Sequence, residues 1–512
     1  MPFSNFWFAA VILLAGLTPV ISTSHEDYNE SLRVKPLPNG KQLISFDFKI
    51  RTAMWGTSSI PMEETQHYRL FPLPLAQLLQ QHDISELHLT LNAGKWNQAQ
   101  WGHQDVASTA GGAELWAWIS MSDSDEDLTS KWQALTNGLS GLFCASLGSL
   151  DHRRATRPRA GFRPVGLLLD DRKHDLMHAM LPSEGVCTEN LTPFVKMLPC
   201  KTRSGIASLL NPHRIFDTDW HGLSIQVYSP QQGTLELELT VHAVMDPVRL
   251  SLHGLKDWSF SSIFGGAISQ TCLAASSAWV KVHSPIHDPF SVIPRPSIAV
   301  EGVSAYNLSI ENVPLDIRVN YQNPYVEYGF STQAPLPIHR VLHGGLGDGT
   351  LAVHIHNSHS APLDVLWVES LPWFIVLYLH TLSLRVNGIE KGNLFQLISY
   401  ETPNDNSQSS TLFEALIHLP AKSTVEIQLN IHKSSILYTE HPPDASRGWD
   451  LPPAIFFLPG GEKIYTTTLL AELPTPDFSM PYNVIIMTST LLALFFGSVM
   501  NTVTRSFGWI PS

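Results

Sequence analysis

Apolar and polar side chains alternate along several stretches of this chain. Ile44, Phe46, Phe48 and Ile50 interleave with Ser45, Asp47 and Lys49; Leu235, Leu237 and Leu239 with Glu236 and Glu238; Val425, Ile427, Leu429 and Ile431 with Glu426, Gln428 and Asn430. Successive strand side chains point to opposite faces, so each stretch predicts a strand with one packed and one wet face. The pattern recurs in both halves between Pro, Gly and Asn punctuation. It predicts a mainly β ectodomain of antiparallel, sandwich-like domains with a few helices.

Helical spacing is rarer. Leu128, Trp132, Leu135, Leu139 and Leu142 recur at steps of three and four behind an acidic run, DSDED, that suits the positive end of a helix dipole. A shorter helix is predicted around Leu75, Leu78 and Leu79.

Two runs abandon alternation. Val484 to Val503 carries no charged side chain, and at about 1.5 Å of rise per residue it is long enough for the ~30 Å hydrocarbon core of a bilayer. Tyr482 and Trp509 mark its two rims. At the other end FWFAAVILLAGLTPVIS has the length of a signal peptide and closes on small residues near Ser22 and Thr23. Its lack of early Lys or Arg leaves an uncleaved anchor as the alternative. These ends predict a signal peptide over residues 1–22, a membrane helix over 481–503 and a cytosolic tail over 504–512 that carries Arg505. The rival reading, a removable GPI-attachment tail, lacks the small residues and polar spacer, which Pro474, Pro476, Phe478 and Pro481 replace. A proline-rich break, HSPIHDPFSVIPRPS, divides the ectodomain into a β-rich domain with helices over 23–285 and a sandwich-like domain over 286–480.

Charge narrows the partners. With 32 basic against 45 acidic residues the net charge is −13, which excludes nucleic acid as a ready partner. The one basic block, DHRRATRPRAGFRP from Asp151 to Pro164, reads as a solvated loop, because Pro and Gly interrupt it and no aromatic row offers a stacking platform. The four cysteines, Cys144, Cys187, Cys200 and Cys272, are too few to staple a chain of this length. Taken as a count alone they leave three complete intramolecular pairings open. Candidate glycosylation sites at Asn29, Asn190 and Asn307 each head an Asn-x-Ser/Thr triplet, though Pro193 follows the second at once.

Chemistry-bearing motifs are weak. In HIHNSH, His354 and His356 share one face of a strand and His359 follows, yet no Cys, Asp or Glu nearby completes a metal shell, so they read as the wet face of a strand. GGLGDG, Gly344 to Gly349, lacks both phosphate-loop spacings and reads as a turn. No G-x-S-x-G or H-E-x-x-H occurs. No catalytic residue, metal or cofactor is therefore assigned. Within the apolar run, Ser489, Ala493, Gly497 and Asn501 recur every fourth residue and predict a face where a neighbouring helix backbone packs closely.

One resemblance reaches across nearly the whole mature chain. LPTPDFSMPYNVI before the last helix, HYRLFP, LHLTLNAGKWNQAQWG, GAELWAW, LSGLFCASL, VCTENLTPFVKMLPC, KDWSF and ESLPWFIVLYLHTL resemble the PIG-T family in the same order. The basic block and residues 286–321 resemble it least. The resemblance implies a lumenal, non-catalytic scaffold subunit of the GPI transamidase of the endoplasmic reticulum membrane. That complex replaces a precursor's C-terminal signal with a GPI anchor. It also implies as partners the caspase-like peptidase PIG-K, which carries the nucleophile, together with a GAA-type subunit, PIG-S and PIG-U. Through VCTENLTPF it marks Cys187 as the partner of a disulfide to the peptidase. With Cys187 so engaged, Cys144 is expected as a buried thiol at the end of its helix, and Cys200 with Cys272 as an intrachain pair. A local bridge from Cys187 to Cys200 stays open, as do two other functional readings: a lumenal hydrolase with a split site, and a receptor-like lumenal binding module.

Overall fold

The computed structural model describes most residues between 26 and 508. Segments 1–25, 54–67, 105–109, 122–124, 169–172, 285–288, 325–335, 403–408 and 509–512, and positions 103, 252, 301, 312, 443, 476 and 478, lie outside the described residues. The expected signal peptide falls there, as does Trp509.

The first body is built on seven long strands: β1 (Asp27–Pro36), β2 (Gln42–Ala53), β3 (Ile84–Ala93), β4 (Gly112–Ser120), β5 (His174–Leu181), β6 (Trp220–Tyr228) and β7 (Thr234–Met245). Shorter ones follow: β8 (Trp258–Ser259), β9 (Ser277–His283), β10 (Phe290–Ile293), β11 (Ile298–Val300), β12 (Val303–Asn307) and β13 (Arg318–Tyr321). Ten of these strands form one sheet in the order β11-β12-β9-β1-β2-β7-β6-β3-β4-β5, and β10, β13 and β8 form a small second sheet. Among the described residues, β1 and β9 pair in parallel and the other neighbours of the large sheet antiparallel.

Register follows the alternation. Leu32, Phe46 and Val241 lie in one row and Val34, Ile44 and Ala243 in the next, all buried on the inner face. The outer face carries a charge ladder in which Lys49 meets Glu238 and Arg51 meets Glu236. Helix Asp125–Phe143 covers the inner face with Leu128, Trp132, Leu135 and Leu139, and helix Leu73–Gln81 lies beside it. Gly138 lets the two helices approach, since a Cβ there would sit 2.3 Å from Leu78 Cδ1.

The second body holds β14 (Ile338–Gly344), β15 (Asp348–Asn357), β16 (Leu363–Leu371), β17 (Ile375–Val386), β18 (Ile389–Glu390) and β19 (Phe395–Glu401). It continues with β20 (Thr411–Leu419), β21 (Ser423–Lys433), β22 (Trp449–Leu451), β23 (Ile455–Phe457), β24 (Lys463–Tyr465) and β25 (Leu469–Ala471). Two five-stranded sheets, β14-β15-β21-β17-β18 and β19-β20-β16-β23-β24, share a core that includes Val353, Ile355, Trp367, Phe413, Ile427 and Phe456. This is the expected sandwich.

The break predicted between residues 285 and 286 sits too early. Strands beyond it, β11 and β12, extend the first sheet through β9, and Leu315, Ile317, Val319 and Tyr321 join the first core. Prolines punctuate this stretch without ending the body, because its edge strands are short and only loosely constrained by backbone pairing.

At the C-terminal end Leu473 is still buried in the second core, and helix Ser479–Leu494 begins after residues 474–478. The helical segment Ser479–Thr504 is apolar and long enough to cross a membrane, and none of it is buried in the protein.

Candidate functional site

The two unbonded cysteines flank one buried amide. Asn190 is 1% exposed. Its Oδ1 accepts from the backbone N–H of Cys187 at 2.8 Å, and its Nδ2 donates to the carbonyls of Phe143 and Cys144 at 3.0 and 3.2 Å. The side chain thereby closes the N-terminus of helix Thr188–Lys196 and ties it to the end of helix Asp125–Phe143. Cys187 caps that helix with an exposed thiol. The approach to it is pinned as well, by a 2.8 Å bond from the Ser146 N–H to Glu184 Oε1. The backbone that carries this exposed thiol is thus held on both sides.

The Asn190 nitrogen that a sugar would occupy is buried and donates to two carbonyls. One expectation changes here. Cys144 is not a buried thiol; it ends its helix with φ of 54°, a left-handed cap that turns its side chain outward. The helical spacing ran up to Leu142 and could not show that the chain reverses two residues later. Asn29 bonds Asp27 and Ser277 from within the sheet, and Asn307 closes a turn by accepting from the Ser309 N–H.

Cys200 and Cys272 are bonded, with Cα atoms 5.8 Å apart. The neighbourhood is tight. Gly205 has φ of +73°, and a Cβ there would meet Glu30 Oε1 at 2.5 Å and Cys272 Cβ at 2.8 Å. Glu30 pairs across the sheet with Phe48, on the apolar face, and accepts from the Ile206 N–H at 3.1 Å. Burial pushes its carboxyl up to about 7, while bonds from Ile206 and Tyr28 oppose the rise.

A seam joins the two bodies. β4 is buried on both faces: Ala113, Leu115 and Ala117 belong to the first core, while Trp116 joins Phe162, Leu176, Val368, Leu412 and Ile455 in a cluster drawn from both bodies. Phe162 comes from the basic block. The carboxylate of Glu414, fully buried, accepts from the backbone N–H groups of Arg159, Ala160 and Gly161 at 2.9, 3.1 and 3.3 Å. Arg153 bonds Glu440, Arg159 bonds Glu401, and the Arg153 and Arg154 guanidinium groups lie over Trp373 and Trp449. Nearby, Tyr465 donates to Glu114 at 2.7 Å, the Lys463 ammonium sits over Phe162 at 4.3 Å, and burial lowers the Lys463 pKa against the pull of Glu114. Asp151 to Pro164 is thus a strap between bodies and not a solvated loop. Its partners lie some 250 residues away in sequence, where local pattern gives no hint of them. One signal was present: Glu414 and Glu114 each interrupt an apolar strand, and a carboxylate in such a place needs donors.

The histidines of HIHNSH alternate as expected. His354 meets Glu426 at 3.1 Å, His356 meets Thr424 at 3.0 Å, and the His359 N–H donates to Asn357. Among the described residues no three His, Cys, Asp or Glu side chains are grouped so as to hold a metal ion. Ser489, Ala493, Gly497 and Asn501 all lie on the exposed C-terminal helix. Residues Phe495–Met500 form a π-helical turn. Such a turn rotates less per residue than an α-helix, which offsets the drift of an every-fourth-residue stripe.

The structure is that of a β-rich chain of two bodies joined by a strap and followed by an apolar helix long enough to cross a membrane. The family described as "Gpi16 subunit, GPI transamidase component" matches residues 11–254 and 249–511. The mouse "GPI-anchor transamidase component PIGT" is 33% identical, with 94% of this chain and 90% of the relative covered. The fission yeast "GPI transamidase component PIG-T homolog" is 34% identical over 98% of this chain and 93% of its own, and the Saccharomyces cerevisiae "GPI transamidase component GPI16" 31% over 93% and 88%. The chain belongs to the Gpi16 family of GPI transamidase components.

Proposed function

We propose that this chain is a non-catalytic scaffold subunit of a GPI transamidase, held in the endoplasmic reticulum membrane by its C-terminal helix with both β bodies in the lumen. Family membership supports the complex. The observation that carries the scaffold role is Cys187: an exposed thiol on a helix cap that a buried side chain fixes in place. It is the attachment point for the caspase-like peptidase subunit, PIG-K, as a disulfide between chains. Binding the nucleophile-bearing subunit to a rigid two-body frame holds it at one position over the bilayer. The short lead from Leu473 to Ser479 limits the swing of that frame. The stripe Ser489, Ala493, Gly497 and Asn501 packs against other membrane helices of the complex, which include those of the GAA-type, PIG-S and PIG-U subunits. Asn29 and Asn307 are the remaining positions for glycans.

Purification of the full chain from membranes in mild detergent tests this reading. A caspase-like peptidase and further membrane subunits should accompany it, and the isolated chain should not cleave a GPI-signal peptide. Recovery as a lone glycoprotein, or cleavage by the chain alone, would overturn it.

A further inference from the structure

The end of the sandwich from which the chain departs for its C-terminal helix carries a cluster of apolar side chains exposed on loops. The β14–β15 hairpin turns through Gly344 to Asp348, and its tip residue Leu346 is 52% exposed. Nothing lies within 4 Å of a Cβ built at Gly345 or Gly347, so the space beside the tip is open at these two positions. The tip is tied to the exit of the chain through Lys433, whose backbone N–H donates to Gly347 O at 2.7 Å and whose ammonium donates to Glu472 O at 3.0 Å. The loop after Lys433 is held to the same end by a bond from the Ser434 N–H to Phe374 O, and it exposes Leu437 and Tyr438 at 64% and 47%. Three large exposed apolar side chains therefore lie on two loops at the end of the sandwich from which the chain leaves for its apolar helix.

The opposite end is different in kind. Its loops carry Ser358, His359, Asn387 and Lys422, with an exposed Ile389 on β18.

We propose that Leu346, Leu437 and Tyr438 dock into the interface of the bilayer that the C-terminal helix enters, so that the second body is held to the membrane at two loops besides its tether. The inference rests on reading Ser479–Thr504 as a span. At no more than about 3.5 Å per residue, residues 474–478 cannot lift this end far from the headgroups. Leu and Tyr side chains on short loops suit the headgroup and acyl boundary. Asp348 and Glu472 are exposed beside the cluster, so the attraction is apolar and not electrostatic. A tether alone leaves the body free to tilt; a tether with two docked loops fixes the tilt, and with it the height of anything bound to the frame.

Photolabelling tests this on the unmodified complex in its membrane, with a carbene-generating diazirine probe that partitions into lipid, followed by peptide mapping. The peptides containing Leu346 and Leu437–Tyr438 should be labelled together with the span, and the peptide containing Ile389 should not. Leu346→Asp should lose the label at its own loop, and labelling should persist at high salt. Labelling of the span with none at either loop would overturn the docking, as would labelling of Ile389 as strong as that of Leu346. An unlabelled span would instead remove the membrane reading on which the docking rests.

Discussion

The strap at the seam and the ridge around Cys187 use the same device and end in opposite states. In each, a buried polar side chain gathers backbone groups from elements distant in sequence: Glu414 takes three N–H groups of the strap, and Asn190 takes one N–H and gives to two carbonyls. At the seam Phe162 and Trp116 are packed between the bodies, with Arg153 and Arg159 paired at the exposed rim. At the ridge the order stops at the backbone, and two thiols are left exposed. The seam completes this chain. The ridge is an edge whose backbone is tied and whose thiols stay open to solvent, which is where the proposed bond to a second chain would form.

The largest expected effect comes from breaking the seam. Glu414→Ala leaves three N–H groups of the strap without their acceptor, one of them in a buried bond, and should cost on the order of 3 kcal/mol, because donors shut off from water carry a desolvation penalty. Calorimetry of the detergent-solubilised chain should show one unfolding transition resolve into two, and limited proteolysis should open the chain between residues 151 and 164. A single unshifted transition would mean that the bodies are not coupled through this carboxylate.

Comparable in size is the pH dependence that Glu30 gives the first body. The Glu30 carboxyl, raised from 4.5 to about 7, binds its proton more tightly folded than unfolded. Its contribution to stability is therefore complete below pH 4.5 and is lost as pH rises through about 7. The loss should be on the order of 3 kcal/mol. Glu30→Gln should flatten that slope in denaturant titrations across this window; an unchanged slope would show that Glu30 is not its source.

The ridge should respond more gently. Asn190→Ala removes three hydrogen bonds around Cys187, one fully buried, and should cost about 2 kcal/mol. Faster amide exchange at residues 187–191 with the seam unaffected would separate the two regions, and the wild-type peptide spanning Asn190 should carry no glycan.

Much of the frame was legible in the alternation itself. The rows through Phe46, Leu237 and Ile427 became strands with those side chains inward, and the Leu128 to Leu142 spacing became a helix on the first sheet. Alternation reports only which face is packed, so it was silent on what packs there. The strap is hidden for that reason: its basic side chains suggest solvent, and Phe162 and the backbone N–H groups that Glu414 gathers meet partners only in the other body. The Cys187 to Asn190 spacing did carry a readable sign, since a polar residue three positions after a helix start is the arrangement of a capping box, and the same triplet was read as a glycan acceptor. One side chain cannot serve both purposes. The later boundary of the first body is hidden by prolines that lie between its short last strands.

The central claim, that the ridge is finished by another chain, is tested most directly on a gel run without reductant, with free thiols blocked before lysis. The wild-type chain should migrate as a covalent pair with the caspase-like subunit. Cys187→Ser should release it, whereas Cys200→Ser, which opens the bond to Cys272 inside the first body, should leave the pair intact. A single-chain band for the wild type under these conditions would contradict the account.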